Sequence, residues 1–225
     1  MPDIATELAR VSLFAGLGDD ELAALAAIAH VRRLARGQVL FSEGEPSDHL
    51  FLVRSGRLRV FLASPRGGEL VLSVPGPGET LGELSVLDRQ PRSANVEALE
   101  ATELIAIAGD DVRTLLETSP TALQAVALEL AAGMRRLSGT AADLVFLDLP
   151  RRLAKLLLAG STSHADGTIR SQLAMSQSGV ASRLGVTRQS LNRALSGLAQ
   201  RGWITVEGTL VRLDDVPALR HFADS

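Results

Sequence analysis

The sequence predicts an α+β chain: an N-terminal antiparallel β-roll (a jelly roll) with flanking helices, then one long helix, then a small helical unit closed by a β-hairpin. Three observations predict it. Between about residues 37 and 108, short apolar stretches alternate with glycine turns; from Pro120, apolar residues step in a regular heptad; beyond Pro150, two short helical runs precede a pair of strand-like ones. Many short strands spaced at about 8–12 residues mark an antiparallel roll rather than a parallel sheet.

Composition bounds what such a chain does. Its 225 residues are 46% hydrophobic and 22% charged, sufficient for two modest cores and too apolar for disorder. No apolar run approaches the ~18 residues of a membrane span. The opening MPDIATELARVSLF lacks the basic start and apolar block of a signal peptide. The expected location is the cytoplasm, with no membrane partner. Without cysteine, disulfides, thiolate metal sites and cysteine nucleophiles are excluded, and His30, His49, His164 and His221 show no ligand spacing, so no metal is expected.

Along the chain, Leu8, Leu13, Leu22, Leu25 and Ile28 recur at roughly helical spacing among alanines and predict helix over 3–30. The strands follow at Val39–Phe41, Leu50–Val53, Leu58–Leu62, Leu70–Val74 and Leu104–Ile107, with turns at Gly37, Gly44, Gly56, Gly67–Gly68, Gly76 and Gly78. Ser119-Pro120 is a helix start, since Ser caps and Pro fits the first turn. Leu123, Ala127, Leu130, Met134, Leu137, Ala141 and Leu144 then step by alternating fours and threes. A strict seam of this kind favours a partner helix, making it a dimer interface, although one helix packing on its own β-roll would also use such a stripe. Gly133 and Gly139 each weaken this helix by roughly 1 kcal/mol relative to Ala. Asp148-Leu-Pro150 breaks the pattern and restarts a helix to about Leu158; a polar loop through Gly160 and Gly167 follows, then helices at 177–184 and 188–201 and a hairpin through Trp203–Val206 and Leu210–Leu213. The breaks divide the chain into residues 1–118, 119–147 and 148–225.

The net charge of −3 conceals an asymmetry. Residues 151–205 carry eight basic side chains against Asp166 alone, a net of +7, whereas residues 1–150 sum to −8. A basic segment joined to an acidic one suits a phosphate-binding unit beside a separate sensing unit; a merely solvated basic face is the alternative.

Two motifs carry chemistry. The first is Gly82-Glu83-Leu84-Ser85-Val86-Leu87-Asp88-Arg89-Gln90-Pro91-Arg92-Ser93-Ala94. Gly82 allows close approach to the backbone, Arg92 offers a planar fork for phosphate, and Ser93 adds a hydroxyl. Glu83 repels phosphate, so its use beside Arg92 is to accept from a sugar hydroxyl. Together they describe a site for a sugar phosphate; a lone Gly-Glu or Arg-Ser pair would be an ordinary turn. No metal cluster, nucleophile–base pair or second carboxylate accompanies them, so an enzyme is not expected. The second motif is Val180-Ala181-Ser182-Arg183-Leu184-Gly185-Val186-Thr187-Arg188-Gln189-Ser190-Leu191. Ala181 is small where two helices cross, Gly185 suits a left-handed turn, and Thr187 caps the next helix. This is a helix-turn-helix, with a plain α-hairpin as the alternative. Thr187, Arg188, Gln189, Asn192 and Arg193 would then face double-stranded DNA, where Arg grips guanine and Gln pairs with adenine.

The first motif resembles the phosphate-binding cassette of cyclic-nucleotide-binding domains, and the likeness extends upstream through Phe41-Ser-Glu-Gly-Glu45 and the Val60 and Leu72 strands. The order of cassette, long helix, Phe146-Leu147-Asp148 and winged helix-turn-helix resembles the cyclic-AMP receptor protein family of bacterial regulators. The resemblance implies a homodimer whose ligand, bound between β-roll and long helix, repositions two DNA-binding units that also meet RNA polymerase. It places ribose and cyclic phosphate on Gly82, Glu83, Arg92 and Ser93, with Val60, Leu72 and Leu84 around them and the base read at Leu137 and Ser138. Leu137 departs from the pattern, since leucine neither donates to nor accepts from a base. The allosteric ligand implied is therefore cyclic AMP, with cyclic GMP, a cyclic dinucleotide or no required ligand as alternatives. Gln189 stands where many members have Glu, which shifts one operator position from cytosine towards adenine.

Overall fold

The computed structural model describes every residue except Met1, Pro2, Ala15, Ser47, Arg66, Gly67, Ala174, Met175 and Ser225, and describes Ser12 without its side chain. The turn expected at Gly67 lies outside the described residues. In chain order the elements are α1 (Ile4–Leu8), a 3-10 turn (Ser12–Phe14), α2 (Asp19–Ile28), β1 (His30–Leu34), β2 (Val39–Phe41), β3 (His49–Ser55), β4 (Leu58–Ala63), β5 (Glu69–Ser73) and β6 (Thr80–Leu81). They continue with α3 (Glu83–Asp88), β7 (Asn95–Ala98), β8 (Thr102–Ala108), α4 (Gly109–Thr118), α5 (Pro120–Phe146) and α6 (Leu149–Ala159). Last come β9 (Ser161–Ser163), β10 (Ile169–Gln172), α7 (Gln177–Arg183), α8 (Arg188–Gln200), β11 (Ile204–Glu207), β12 (Leu210–Leu213) and α9 (Val216–Asp224). The chain divides into two compact units, Met1–Ala63 with Leu72–Arg136, and Ser64–Val71 with Leu137–Ser225.

The first unit holds a four-stranded sheet ordered β1-β8-β3-β6 and the strands β2-β7-β4 of another. Antiparallel register pairs Leu50 with Ile107, Leu52 with Ile105 and Val53 with Leu104. Because side chains alternate across a strand, β3 and β8 bury both faces. Leu50, Leu52, Ile105 and Ile107 join the helices in one core, whereas Phe51, Val53, Leu104 and Ala106 join Leu40, Phe41, Leu58 and Val96 in the core of the strands. That is why these two strands read as continuous apolar runs instead of alternating ones.

The single helix expected over 3–30 is broken. Gly18 starts α2 afresh: its N–H donates to the Glu21 carboxylate at 2.9 Å, and Asp19, Asp20 and Glu21 complement the positive helix N-terminus. The long helix α5 starts where expected, with the Ser119 hydroxyl accepting from the Ala122 N–H at 3.4 Å. Ala122 and Val126 anchor it in the helix-side core, while Leu123, Ala127, Leu130, Met134, Leu137, Ala141 and Leu144 are all exposed. Within the first unit, Leu123, Ala127, Leu130 and Met134 are therefore not spent on its β-roll.

In the second unit, the Asp148 carboxylate caps α6 by accepting from the Arg151 N–H at 3.0 Å. Lys155 Nζ meets Asp143 Oδ1 at 2.7 Å and ties α6 to the end of α5. The polar loop expected through Gly160 and Gly167 is instead the β9–β10 hairpin, in a sheet ordered β11-β12-β10-β9. Its strands carry no apolar alternation of their own. β10 owes its place to β12, pairing Ile169 with Leu213 and Ser171 with Val211, and this buries Ser171. Leu153, Leu157, Leu191, Leu198, Val211 and Leu219 are fully buried in one core, with Trp203 packed against it.

Trp203 is the single tryptophan of the chain, so its fluorescence reports on this unit. Leu191→Ala leaves a cavity at a fully buried position and is expected to destabilise the unit by about 2–5 kcal/mol, read as a lower guanidinium midpoint in Trp203 fluorescence.

Candidate functional site

Gly82 precedes α3 with φ +81°, a left-handed conformation that favours glycine. A Cβ there would collide with Arg92 Nη1 and come within 3.2 Å of the His49 carbonyl oxygen. The Arg92 guanidinium fills that space and is only 3% exposed. Nη1 donates to the Gly82 carbonyl at 3.2 Å and Nη2 to the His49 carbonyl at 2.7 Å. The guanidinium also lies over the Phe41 ring, 4.2 Å from its centroid. The backbone fixes its loop too: the Arg92 N–H donates to Glu45 and the Arg92 carbonyl accepts from Gly44. Burial pulls the Arg92 pKa down, opposed by the charges of Asp48, Glu83 and Glu45.

Glu83 opens α3 and is half-buried. Burial raises its pKa above the ordinary glutamate value, its own backbone N–H opposes this, Glu129 raises it further, and Arg92 and Arg136 lower it. Two charges of α5, at Glu129 and Arg136, thus act on the cassette. Sequence reasoning missed both, as it missed the Phe41 ring beneath Arg92, because neither spacing nor periodicity reports which way a charged side chain of a long helix lies. Of the expected ligand residues, the structure brings Gly82, Glu83 and Arg92 together. Ser93 follows them, exposed; Val60 packs against the core of the strands; Leu72 and Leu84 are exposed. Leu137 and Ser138 are exposed on α5 and belong to the second compact unit.

In that unit, the Ser176 hydroxyl caps α7 by accepting from Gly179, and the Thr187 hydroxyl caps α8 by accepting from Ser190 at 3.2 Å. Gly185 turns between them with φ +66°. Arg152 Nη1 donates to the Leu184 carbonyl at 2.9 Å and braces the turn, a role with no sequence signal. Val180, Leu184, Leu191 and Leu195 face the core, while Arg188, Gln189, Asn192 and Arg193 are exposed on α8. Charge sorts the same way. Arg151, Lys155 and Arg170 are in ion pairs with Asp148, Asp143 and Asp166. Among the described residues, Arg183, Arg188 and Arg193 of the helix pair are exposed and in none, as are Arg201 at the end of α8 and Arg220 on α9. Such charge, together with a helix presenting donors and acceptors, is what a duplex requires.

A cyclic nucleotide-binding domain model matches residues 31–119, and a Crp-like helix-turn-helix domain model matches residues 151–222. A CRP-like cAMP-activated global transcriptional regulator of Mycobacterium tuberculosis is 32% identical over 219 residues, which is 96% of this chain and 98% of that one. The chain belongs to the CRP-like family of transcription regulators. It is accordingly a cyclic-nucleotide-binding, DNA-binding regulator and not an enzyme. The cyclic AMP receptor protein of Thermus thermophilus is 29% identical over 211 residues, 94% of this chain and 96% of that one. Among solved structures, the c-di-GMP-responsive global regulator CLP of Xanthomonas campestris superposes with a TM-score of 0.75 at 26% identity, over 87% of this chain and 99% of that one. Among the described residues no helix is long and apolar enough to cross a membrane.

The cassette of this CRP-like chain fits a cyclic nucleotide. Arg92 Nε is buried without a hydrogen-bond partner among the described groups, and Glu83 is half-buried beside it. An anion at Arg92 and a hydroxyl at Glu83 satisfy both groups.

Two substitutions test the two sites. Gly82→Ala places a methyl in the guanidinium and is expected to weaken cyclic-nucleotide binding more than about tenfold, since strain at such a position costs of order 1–3 kcal/mol; calorimetric titration reads it. Arg193→Ala is expected to weaken DNA binding and reduce the slope of log K against log salt by about 1, whereas Arg170→Ala, already paired with Asp166, leaves the slope unchanged in fluorescence anisotropy.

Proposed function

We propose that this chain is a homodimeric, cyclic-AMP-responsive transcription regulator of the cytoplasm. The observation that carries the reading is the cassette: a buried arginine and a half-buried glutamate set side by side at Gly82 are complementary to a cyclic phosphate and the ribose hydroxyl beside it. The cAMP-activated relative from Mycobacterium tuberculosis supports cyclic AMP as that nucleotide. Gly82, Glu83, Arg92 and Ser93 hold sugar and phosphate; Val60, Leu72 and Leu84 flank them; Ser138 reads the base.

The exposed stripe on α5 supports the dimer. Leu123 is 54% exposed, Met134 70% and Leu137 66%. An apolar stripe of this length at heptad spacing is an interaction surface, and a second copy of α5 offers the matching one. Pairing two long helices brings two copies of α8 into a dyad, as a two-fold-symmetric operator with half-sites about 34 Å apart requires. Nucleotide then acts by favouring the DNA-competent arrangement over the other, whatever its absolute affinity. Thr187, Arg188, Gln189, Asn192 and Arg193 make the DNA contacts, and the exposed tip of the β9–β10 hairpin is a surface for RNA polymerase.

One observation favours a second reading. Leu137 occupies a base-reading position with a side chain that cannot hydrogen-bond, and the 26% identical CLP is described as c-di-GMP-responsive. Calorimetric titration with cyclic AMP, cyclic GMP and cyclic di-GMP separates the readings. Saturable cyclic AMP binding, lost in Arg92→Ala while far-UV circular dichroism and thermal unfolding stay put, is the expected result. Binding of another nucleotide alone transfers the proposal to that ligand, and binding of none makes the β-roll a scaffold. For the seam, Met134→Glu combined with Leu130→Glu is expected to convert dimer to monomer in sedimentation equilibrium.

A further inference from the structure

The chain carries 23 lysine and arginine side chains, and Lys155 is the single lysine among them. It lies on α6, close to the junction with α5. Its Nζ meets Asp143 Oδ1 at 2.7 Å across the Leu147-Asp148 break, and both residues belong to the second compact unit. The two side chains are 39% and 33% exposed, so a small reagent reaches the amine once the pair parts. Asp143 stands in the last turn of α5, where the negative end of a helix disfavours an acid and favours a cation. Lys155 compensates that carboxylate and the helix terminus together. Elsewhere on α6, Leu153 and Leu157 join Leu191 and Leu198 of α8 in one core, and Arg152 donates to the Leu184 carbonyl before the Gly185 turn. The Asp143–Lys155 pair therefore helps to fix the angle at which α6, and α8 packed on it, leave the end of α5.

An arginine at this place would grip Asp143 with two N–H groups and could not be neutralised. A lysine can be, because acylation of its amine removes the charge and the ion pair with it. We propose that Lys155 is a regulatory acylation site, modified when its pair with Asp143 opens. The donor is a small acyl phosphate. The ammonium gives one proton to solvent and Nζ attacks the acyl carbonyl carbon. The new C–N bond forms, the carbon–oxygen bond to phosphate breaks, and inorganic phosphate leaves with a second proton from the nitrogen. The resulting amide is neutral, so the pair cannot re-form. Asp143 is then an uncompensated acid at the negative end of α5, and the junction stays loose. A closed pair protects the amine and an acylated one cannot close, so the modification records and holds the open junction. The proposal rests on α8 being the DNA-contacting helix and not on which nucleotide the chain binds.

The experiment treats the full chain with acetyl phosphate and follows labelling by mass spectrometry of the intact protein and its peptides. Fluorescence anisotropy at fixed salt then reads affinity for a duplex that the protein itself selects from randomised DNA. The expected label is one acetyl group at Lys155 besides any on the N-terminal amine, appearing faster in Asp143→Asn, whose amine is unprotected. Acetylated protein and Lys155→Gln are expected to bind the duplex roughly three- to tenfold more weakly, whereas Lys155→Arg keeps its affinity and is labelled at the N-terminus alone. Asp143→Asn is expected to bind more weakly too, although removing an acid would by charge alone strengthen binding to DNA. A Lys155 left unlabelled while the N-terminal amine reacts overturns the proposal. So does equal labelling with and without Asp143, an unchanged DNA affinity after labelling, or tighter binding by Asp143→Asn. Arg193→Ala is the control for the premise: if it leaves DNA affinity unchanged, the reading of α8 fails, and this proposal with it.

Discussion

Arg92 is a full charge held almost out of water, and the local architecture of the β-roll follows from what such a charge demands. Burying a cation costs several kcal/mol unless hydrogen bonds and opposite charge replace its hydration. Here the replacement comes from several places in the sequence at once: the His49 carbonyl at the start of β3, the Gly82 carbonyl before α3, the Phe41 ring on β2, and the carboxylates of Asp48, Glu83 and Glu45. None of these is adjacent to Arg92 in the chain. The two sheets must therefore be closed for the guanidinium to be buried. The arginine that gives the cassette its affinity for an anion thus reports on the fold that presents it.

The second constraint is the division of α5. Near its start, Ala122 and Val126 face inward and fasten it to the helix-side core of the β-roll. The heptad stripe faces elsewhere and is exposed along its length. One helix therefore presents an anchoring face and an apolar stripe, each at its own phase of the same 3.6-residue turn.

Much of this was legible in the sequence, for identifiable reasons. The heptad, the Ser119-Pro120 start and the Gly185 turn are local signals, written in residues next to the structure they cause. The β3 and β8 runs were visible as apolar stretches because both their faces are buried. What escaped is what distant residues impose. β9 and β10 have polar sequences and are strands because β12 pairs with β10. The break between α1 and α2 needed the Gly18–Glu21 cap to outweigh an alanine-rich helical pattern. α4 and α9 are short amphipathic helices, with Val112, Leu115 and Leu116 in one and Val216, Leu219 and Phe222 in the other, packed against cores formed mainly by other elements. Gly82, Glu83 and Arg92, singled out in the sequence because glycine, acid and arginine each have a distinct chemical use, lie together in the fold. The contacts of Phe41 and Arg152 had no such signal, because they exist only once the chain is folded.

In the proposed regulator, occupancy of the Arg92 cassette governs the DNA affinity of α8. Its most direct test is the affinity of the purified protein for a two-fold-symmetric duplex selected from randomised DNA, followed by fluorescence anisotropy at fixed salt with and without saturating cyclic nucleotide. Nucleotide is expected to tighten binding to the selected duplex by about 5–150-fold, the usual range of an allosteric coupling, and to leave binding to an unrelated duplex nearly unchanged. Equal affinity for the selected duplex with and without nucleotide, under conditions where calorimetry shows the cassette filled, would contradict it.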